Sequence, residues 1–179
     1  HDESVPLIEK AHGLAPESIA VLIALGGLHT LRGDLPKAIS CYHRAVTLDP
    51  DAPEAHANLA TLYNATGRPK EALEHAERAV LAEPLNPGFI AVLAGALEET
   101  GETARALGLV NRALVIHPHM VALRCRLASL QLSGGAADQG LAGIARLLKE
   151  RRDDPALLEA MTLLLHRAGR PEQALAAAR

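Results

Sequence analysis

Nine histidines in 179 residues are the first candidates for chemistry, because histidine binds metals and carries protons near neutral pH. Their spacing argues against a metal centre. No two histidines stand at i and i+4, and no Cys-x-x-Cys occurs. His117-Pro-His119 falls in an expected turn and reads as solvated. His56 lies inside an apolar helical pattern and reads as a partly buried packing residue. No Ser/His/Asp arrangement, phosphate loop or carboxylate pair stands out, and Gly26-Gly27 sits in helical pattern rather than in a nucleotide loop. The reading is a chain without catalysis, cofactor or metal.

Charge and cysteine usage narrow the partners. A net charge of −3 gives no bulk attraction to nucleic acid. Arg146, Lys149, Arg151 and Arg152 cluster at an expected helix C-terminus, where cations complement the helix dipole, and Asp153 and Asp154 blunt them. Cys41 and Cys125 form no disulfide framework. The run "IAVLIALGGL" is too short to span a bilayer, and "HDES" is not a basic signal-peptide start. These features lead to an expected cytoplasmic location without membrane insertion.

The elements that position these residues follow from a repeat. Gly33, Gly67, Gly101, Gly135 and Gly169 recur every 34 residues. Leu25, Leu59, Leu93, Leu127 and Met161 keep the same step, as do Gly26, Ala60, Ala94 and Ala128. So do Ala38, Ala72, Ala106 and Ala174, interrupted by Gly140, then Ala45, Ala79 and Ala113, and Pro50, Pro84 and Pro118. Before each glycine the apolar spacing is helical, as at Leu59, Leu62 and Tyr63. The glycine ends that helix in a left-handed backbone conformation. Pro36, Pro69 and Pro171 suit the first turn of the next helix. Two alanines on one face let that helix approach its neighbours, and the closing proline stops it. One such pair cannot bury its apolar face alone, so pairs must stack. A composition half hydrophobic yet nearly free of aromatics (one Phe, two Tyr, no Trp) suits helices packed through Ala and Leu.

This pattern resembles the tetratricopeptide repeat (TPR) family, whose 34-residue signature is W-x2-L-G-x2-Y, A-x3-F and P. The matching residues are Leu22, Leu25, Gly26, His29, Ala38, Tyr42, Ala45 and Pro50, then His56, Leu59, Ala60, Tyr63, Ala72, Ala79 and Pro84. The third repeat offers Ile90, Leu93, Ala94, Leu97, Ala106, Ala113 and Pro118. No repeat carries the family's tryptophan. The resemblance implies an all-α fold, a right-handed α-solenoid of stacked antiparallel helix pairs. Full repeats are expected at 19–52, 53–86, 87–120 and 121–154, with a second helix of a partial repeat in 1–18 and a partial repeat at 155–179. The chain thus begins and ends mid-repeat, and "EQALAAAR" is a poor polar cap; a piece of a longer protein is expected. In the fourth repeat Gly140 and Leu147 replace packing alanines and Arg152 replaces the closing proline, so helix spacing should change there.

The resemblance also implies a groove lined by the first helix of each pair, in which a peptide or helix binds. Its contact positions fall on Ile23, Gly27 and Leu31, on Glu54, Ala57, Thr61 and Asn64, on Ala91, Gly95 and Glu98, and on Cys125, Ser129 and Leu132. The same positions include Ala20, Thr30, Ala65, Gly88, Glu99, Ala122 and Ser133, and in the last repeat Ala156, Glu159, Leu163, His166 and Arg167. Chaperone-binding members hold a C-terminal carboxylate with Lys, Asn and Arg, but Ile23, Gly27, Ala57 and Thr61 stand at the Lys and Asn positions, and Arg126 alone makes no clamp. Arrays fused to O-linked glycosyltransferases bind peptide backbone through an asparagine at the sixth position, which Asn58 matches; Ala24, Val92, Arg126 and Ala160 do not. Three functions follow as expectations. The first is a non-catalytic protein–protein interaction scaffold. The second is the substrate-recruiting arm of a larger transferase whose catalytic domain lies outside the chain. The third is a scaffold that self-associates through its uncapped ends.

Overall fold

The computed structural model describes residues 4–170 and 172–173, and the side chains from Val5 onward. Residues up to Pro84 form one compact unit and those from Leu85 form a second. The described residues are helices joined by turns, with no strand among them. The N-terminal unit holds α1 (Ser4–Leu14), α2 (Ile19–Leu31), α3 (Leu35–Leu48), α4 (Pro53–Ala65) and α5 (Pro69–Ala82). The C-terminal unit holds α6 (Pro87–Glu99), α7 (Thr103–Ile116), α8 (Val121–Ser133), α9 (Ala137–Glu150) and α10 (Pro155–Arg167). None of these helices is long and apolar enough to cross a membrane.

The helix ends are written locally. Gly33, Gly67, Gly101, Gly135 and Gly169 all have positive φ, between 71° and 85°. This left-handed residue lets the next amide reach back to the last turn of the helix: Asp34 N–H donates to the His29 carbonyl at 2.9 Å, and Arg68 N–H to Tyr63 at 2.8 Å. That pairing satisfies carbonyls that a helix end otherwise leaves open. Pro53, Pro69, Pro87 and Pro155 each open a helix, and Pro36 is the second residue of α3. Pro171 and Ala174 lie outside the described residues. Asn86 caps α6 by accepting from the amides of Gly88 and Phe89, and Asp154 caps α10 from Ala156 and Leu157.

Small side chains bring the helices together. Ala38, Ala45, Ala72, Ala79 and Ala106 are fully buried, and larger residues such as Leu22, Leu59, Leu97, Leu123 and Leu130 fill the spaces between them. In the N-terminal unit α2 packs on α3 and α4 on α5, with α3 bridging to α4. In the C-terminal unit α6 packs on α7 and α8 on α9, while α6, α8 and α10 are neighbours in turn. Gly26 makes room for an aromatic ring: a Cβ there would lie 2.6 Å from Tyr42 Cε1, and Tyr42 is buried. His56, read as a packing residue, is buried and hydrogen-bonded, its Nε2 donating to the Pro50 carbonyl at 2.9 Å.

Gly140 and Leu147 behave differently from the alanines they replace. A Cβ at Gly140 would lie 2.6 Å from the Ala128 carbonyl oxygen, so α9 sits closer to the α8 backbone than an alanine permits. Further along the helix, half-buried Leu147 packs against the cluster of Ala128, Leu141, Ile144 and Leu157. Spacing therefore changes along α9, tight at its start and filled by leucine at its end.

Candidate partner-binding site

Glu98 is the organising residue of the C-terminal unit's groove face. It lies in the last turn of α6, and its side chain is 6% exposed. A buried carboxylate needs several donors. Here α8 supplies three. Ser129 Oγ donates to Oε1 at 2.9 Å, Ser133 Oγ to Oε1 at 2.6 Å, and Arg126 Nη1 to Oε2 at 3.2 Å. Ser129 and Ser133 are one helical turn apart, so both hydroxyls face the same neighbour. From α10, Arg167 donates Nη2 to Glu98 Oε1 at 3.3 Å and to Ser133 Oγ at 3.2 Å, and Nη1 to Ser129 Oγ at 2.8 Å. Three helices are thus tied at one carboxylate.

Burial pushes the Glu98 pKa up, but the hydrogen bonds from Ser133 and Ser129 and the charges of Arg126 and Arg167 outweigh it, and the net shift is downward. Glu98 is therefore ionised at neutral pH and is a fixed charge rather than a proton carrier. Gly95 explains how Arg126 reaches it. A Cβ at Gly95 would lie 2.8 Å from Arg126 Nη2, so the guanidinium lies across α6 where a side chain is missing.

Around this cluster opens a cleft of about 310 Å³, lined also by Glu99, Ala122, Cys125, Ala160, Leu163 and Leu164. Burial pushes the Cys125 thiol pKa up, so the thiolate is disfavoured there. Leu163 is 56% exposed and gives the cleft an apolar shoulder. A larger cleft of about 580 Å³ lies on α9 and α10, but its lining is Leu141, Leu148, Leu158, Met161 and similar residues, and it ends at Arg170 and Gln173, next to the undescribed chain. Its lining Asp138 and Arg170 pair with each other at 2.6 Å, whereas in the smaller cleft Arg126, Ser129 and Arg167 all meet at Glu98, so the smaller cleft is the better candidate.

The sequence-derived positions divide accordingly. In the C-terminal unit Glu98, Cys125 and Ser129 line one cleft; Leu132 packs against the core of α8, α9 and α10, and Ala91 is half-buried on α6. Gly95 is buried beneath Arg126 and offers no surface to a partner. In the N-terminal unit Leu31, Glu54 and Thr61 are exposed, while Gly27, Asn58 and Asn64 are half-buried. Ala57 is buried, and Ile23 packs against the core of Leu22, Ala45, Ala52 and Ala55. Thr61 Oγ1 turns back to the Ala57 carbonyl at 2.9 Å and so spends its proton inside its own helix. Asn64 Oδ1 is buried with no hydrogen-bond partner.

Arg126 is not among the expected contact positions, although it lies in the same register as Asn58, 68 residues on. His117 Nε2 bonds the Leu85 carbonyl at 3.0 Å and so ties the turn. Among the described residues no three His, Cys, Asp or Glu side chains are arranged to hold a metal ion. Cys41 and Cys125 are free thiols in different units.

Four family models match the sequence in overlapping stretches: TPR repeat over residues 26–75, and tetratricopeptide repeat over 59–121, 97–164 and 155–179. The chain belongs to the tetratricopeptide repeat family. Solved structures agree on an all-α TPR solenoid fold. The thermophilic TPR protein TTC0263 of Thermus thermophilus matches with a TM-score of 0.76 and 24% identity over 89% of this chain and 88% of its own. YrrB, described as a TPR protein with an unusual peptide-binding site, matches with a TM-score of 0.64 and 20% identity over 95% and 88%. The first TPR of Spaghetti (RPAP3), solved bound to the HSP90 peptide SRMEEVD, matches with a TM-score of 0.60 and 20% identity over 65% and 93%. A search of the curated proteins finds no match.

Proposed function

We propose that this TPR chain is a non-catalytic protein–protein interaction scaffold, and that the cleft on α6, α8 and α10 is a working surface for a peptide or helix. The observation that carries this reading is the Glu98 cluster. A buried carboxylate tied to two arginines and two serines is an expensive way to join three helices, because apolar packing does so at lower desolvation cost. Such a cluster is better explained by what it presents. Glu98 uses its oxygens inward, while the Arg126 and Arg167 side chains are 33% and 40% exposed. Each guanidinium carries five N–H donors; Arg126 directs one and Arg167 three at Glu98 and the serines. The remaining donors suit backbone carbonyls or side-chain acceptors of a bound segment, and Leu163 suits an adjoining apolar side chain.

Peptide binding in YrrB and in the RPAP3 domain supports a peptide as the partner class. The repeat units in this reading are 19–52, 53–86, 87–120 and 121–154, flanked by 1–18 and 155–179. The test is to pan a displayed random-peptide library on the immobilised full chain, then measure enriched peptides against Arg167→Ala and Leu163→Asp. Affinity should fall at least tenfold in both. Leu163 is 56% exposed and outside the Glu98 cluster, so L163D should keep the wild-type melting temperature. R167A also loses its bonds to Glu98, Ser129 and Ser133 and should melt lower, so its affinity is read well below its transition. Peptides that bind wild type and both variants equally would place the surface elsewhere. Failure to enrich any sequence would remove the peptide reading.

A further inference from the structure

Three histidines that this reading leaves unused meet in the N-terminal unit. His43 comes from α3, His56 from α4 and His75 from α5. The His75 ring centroid lies 5.1 Å from His56, 5.9 Å from His43 and 5.6 Å from Tyr63, on which it stacks at 25°. His43 Nε2 is hydrogen-bonded to the Tyr63 hydroxyl. The Arg68 guanidinium covers the Tyr63 ring at 4.3 Å.

The hydrogen bonds fix how many protons the group holds. Pro50 offers His56 only a carbonyl, so His56 Nε2 carries a proton. His56 Nδ1 lies 2.8 Å from His75 Nδ1. Subtracting that from the 5.1 Å between centroids leaves about 1.1 Å on each side, one ring radius, so both nitrogens lie on the line between the rings. A zinc ion bound by both would hold the nitrogens about 3.3 Å apart, in tetrahedral geometry, and would sit off that line. The two rings therefore share one proton in an N–H···N bond. With the pair neutral, His75 donates. One added proton can be accommodated by either ring without losing the bond. A second makes both Nδ1 atoms donors, breaks the bond and leaves two like charges side by side.

The surroundings oppose that charge. His75 is faced by His43 from α3, by His56 from α4 and by one carboxylate, Glu71, on α5 itself, while Arg68 from the α4–α5 turn faces His43. Burial first, then His56 and His43, hold its pKa down to about 4, with Glu71 pulling the other way. Burial, then Arg68 and His56, lower that of His43.

We propose that His43, His56 and His75 form a proton-sensitive latch, which ties α3, α4 and α5 while His56 and His75 share a proton and releases the α4–α5 contact when acid charges both rings. The sign follows from linkage. The unfolded chain takes up the His75 proton below about 6.5, whereas the folded chain resists until about 4, so folding weakens as pH falls through that window and levels off below it. The full shift caps the effect at about 300-fold in the folded-to-unfolded ratio, and partial solvent access to His75 lowers this toward tenfold.

The chain provides its own reporter. Tyr42 and Tyr63 are its only tyrosines, it has no tryptophan, and both lie in the N-terminal unit. Urea unfolding of the full chain, followed by tyrosine near-ultraviolet circular dichroism from pH 7.5 to 4, should lose at least tenfold in that ratio. His75→Asn keeps an amide donor beside His56 without titrating, and should remain folded at pH 7 with most of the pH slope gone. Equal slopes in wild type and H75N would overturn the proposal. Should H75N not fold, the histidine resonances of wild type decide: His75 titrating near 6.5, with Tyr63 signals unmoved, would overturn it as well.

Discussion

Gly140→Ala separates two readings of the same residue. The register places Gly140 where Ala38, Ala72 and Ala106 stand in other repeats. Restoring alanine should then stabilise, because alanine is about 0.8–1.0 kcal/mol better than glycine inside a helix. The structure reverses the sign. A Cβ at Gly140 would meet Ala128 O at 2.6 Å, Ala128 Cα at 3.2 Å and Ala128 C at 3.3 Å. All three atoms are α8 backbone and cannot rotate away. The oxygen must retreat by about 0.8 Å to reach ordinary contact, so α9 must lift from α8 and loosen Leu141 and Ile144, both buried in the shared core. Overpacking of this kind costs about 1–3 kcal/mol. With the propensity gain subtracted, G140A should destabilise by up to about 2 kcal/mol instead of stabilising. Gly143→Ala is the control on the same helix: Gly143 is exposed with nothing near its Cβ position, so G143A should stabilise by about 0.5–1 kcal/mol. Urea unfolding followed by far-ultraviolet circular dichroism, with amide exchange of α8 and α9 peptides, reads both variants. A G140A protein as stable as G143A would refute the close approach of α9 to α8.

Three further substitutions probe other parts of the fold. Glu98→Gln leaves Arg126 and Arg167 without their countercharge; because both arginines are a third or more exposed, the loss should be about 1–2 kcal/mol rather than that of a fully buried pair, read by faster amide exchange in α6 and α8. The Glu98 contribution is fully present above the ordinary carboxylate value of 4.5 and is lost as pH falls through its lowered folded value, so acid should weaken the C-terminal unit of wild type more than that of E98Q. Gly26→Ala drives a Cβ to 2.6 Å from the buried Tyr42 ring; a net loss of about 1 kcal/mol and altered tyrosine dichroism are expected, whereas a gain would show that the ring moves freely. Asn86→Ala removes the acceptor for the Gly88 and Phe89 amides and should cost about 1 kcal/mol, with those two amides exchanging faster.

Much of the local structure was legible because its causes are local. Each in-register glycine takes the positive φ that ends a helix, since only glycine does so without strain, and the prolines open helices where a missing N–H costs nothing. The buried alanines at 38, 45, 72, 79, 106 and 113 follow from a 34-residue step that repeats the same face on every second helix. The Ser129–Ser133 pair could also be read, being one turn apart on one helix.

The site was legible only in part. Register places a residue on its own helix, but it does not choose a rotamer. Gly95 and Ala57 were expected to line a groove and are buried, Gly95 because Arg126 folds over it. Nothing in the sequence joins Glu98 to Arg167, 69 residues away, or pairs His56 with His75. Nor does it tell whether Gly140 is a gap to be filled or a contact. The backbone signals determined the helices, their ends and their alanine faces, because those depend on residues within a few positions of each other. Tertiary structure decided the charge cluster, the shared proton and the closeness of α9 to α8, because these depend on which side chains of separate helices meet and how far each reaches.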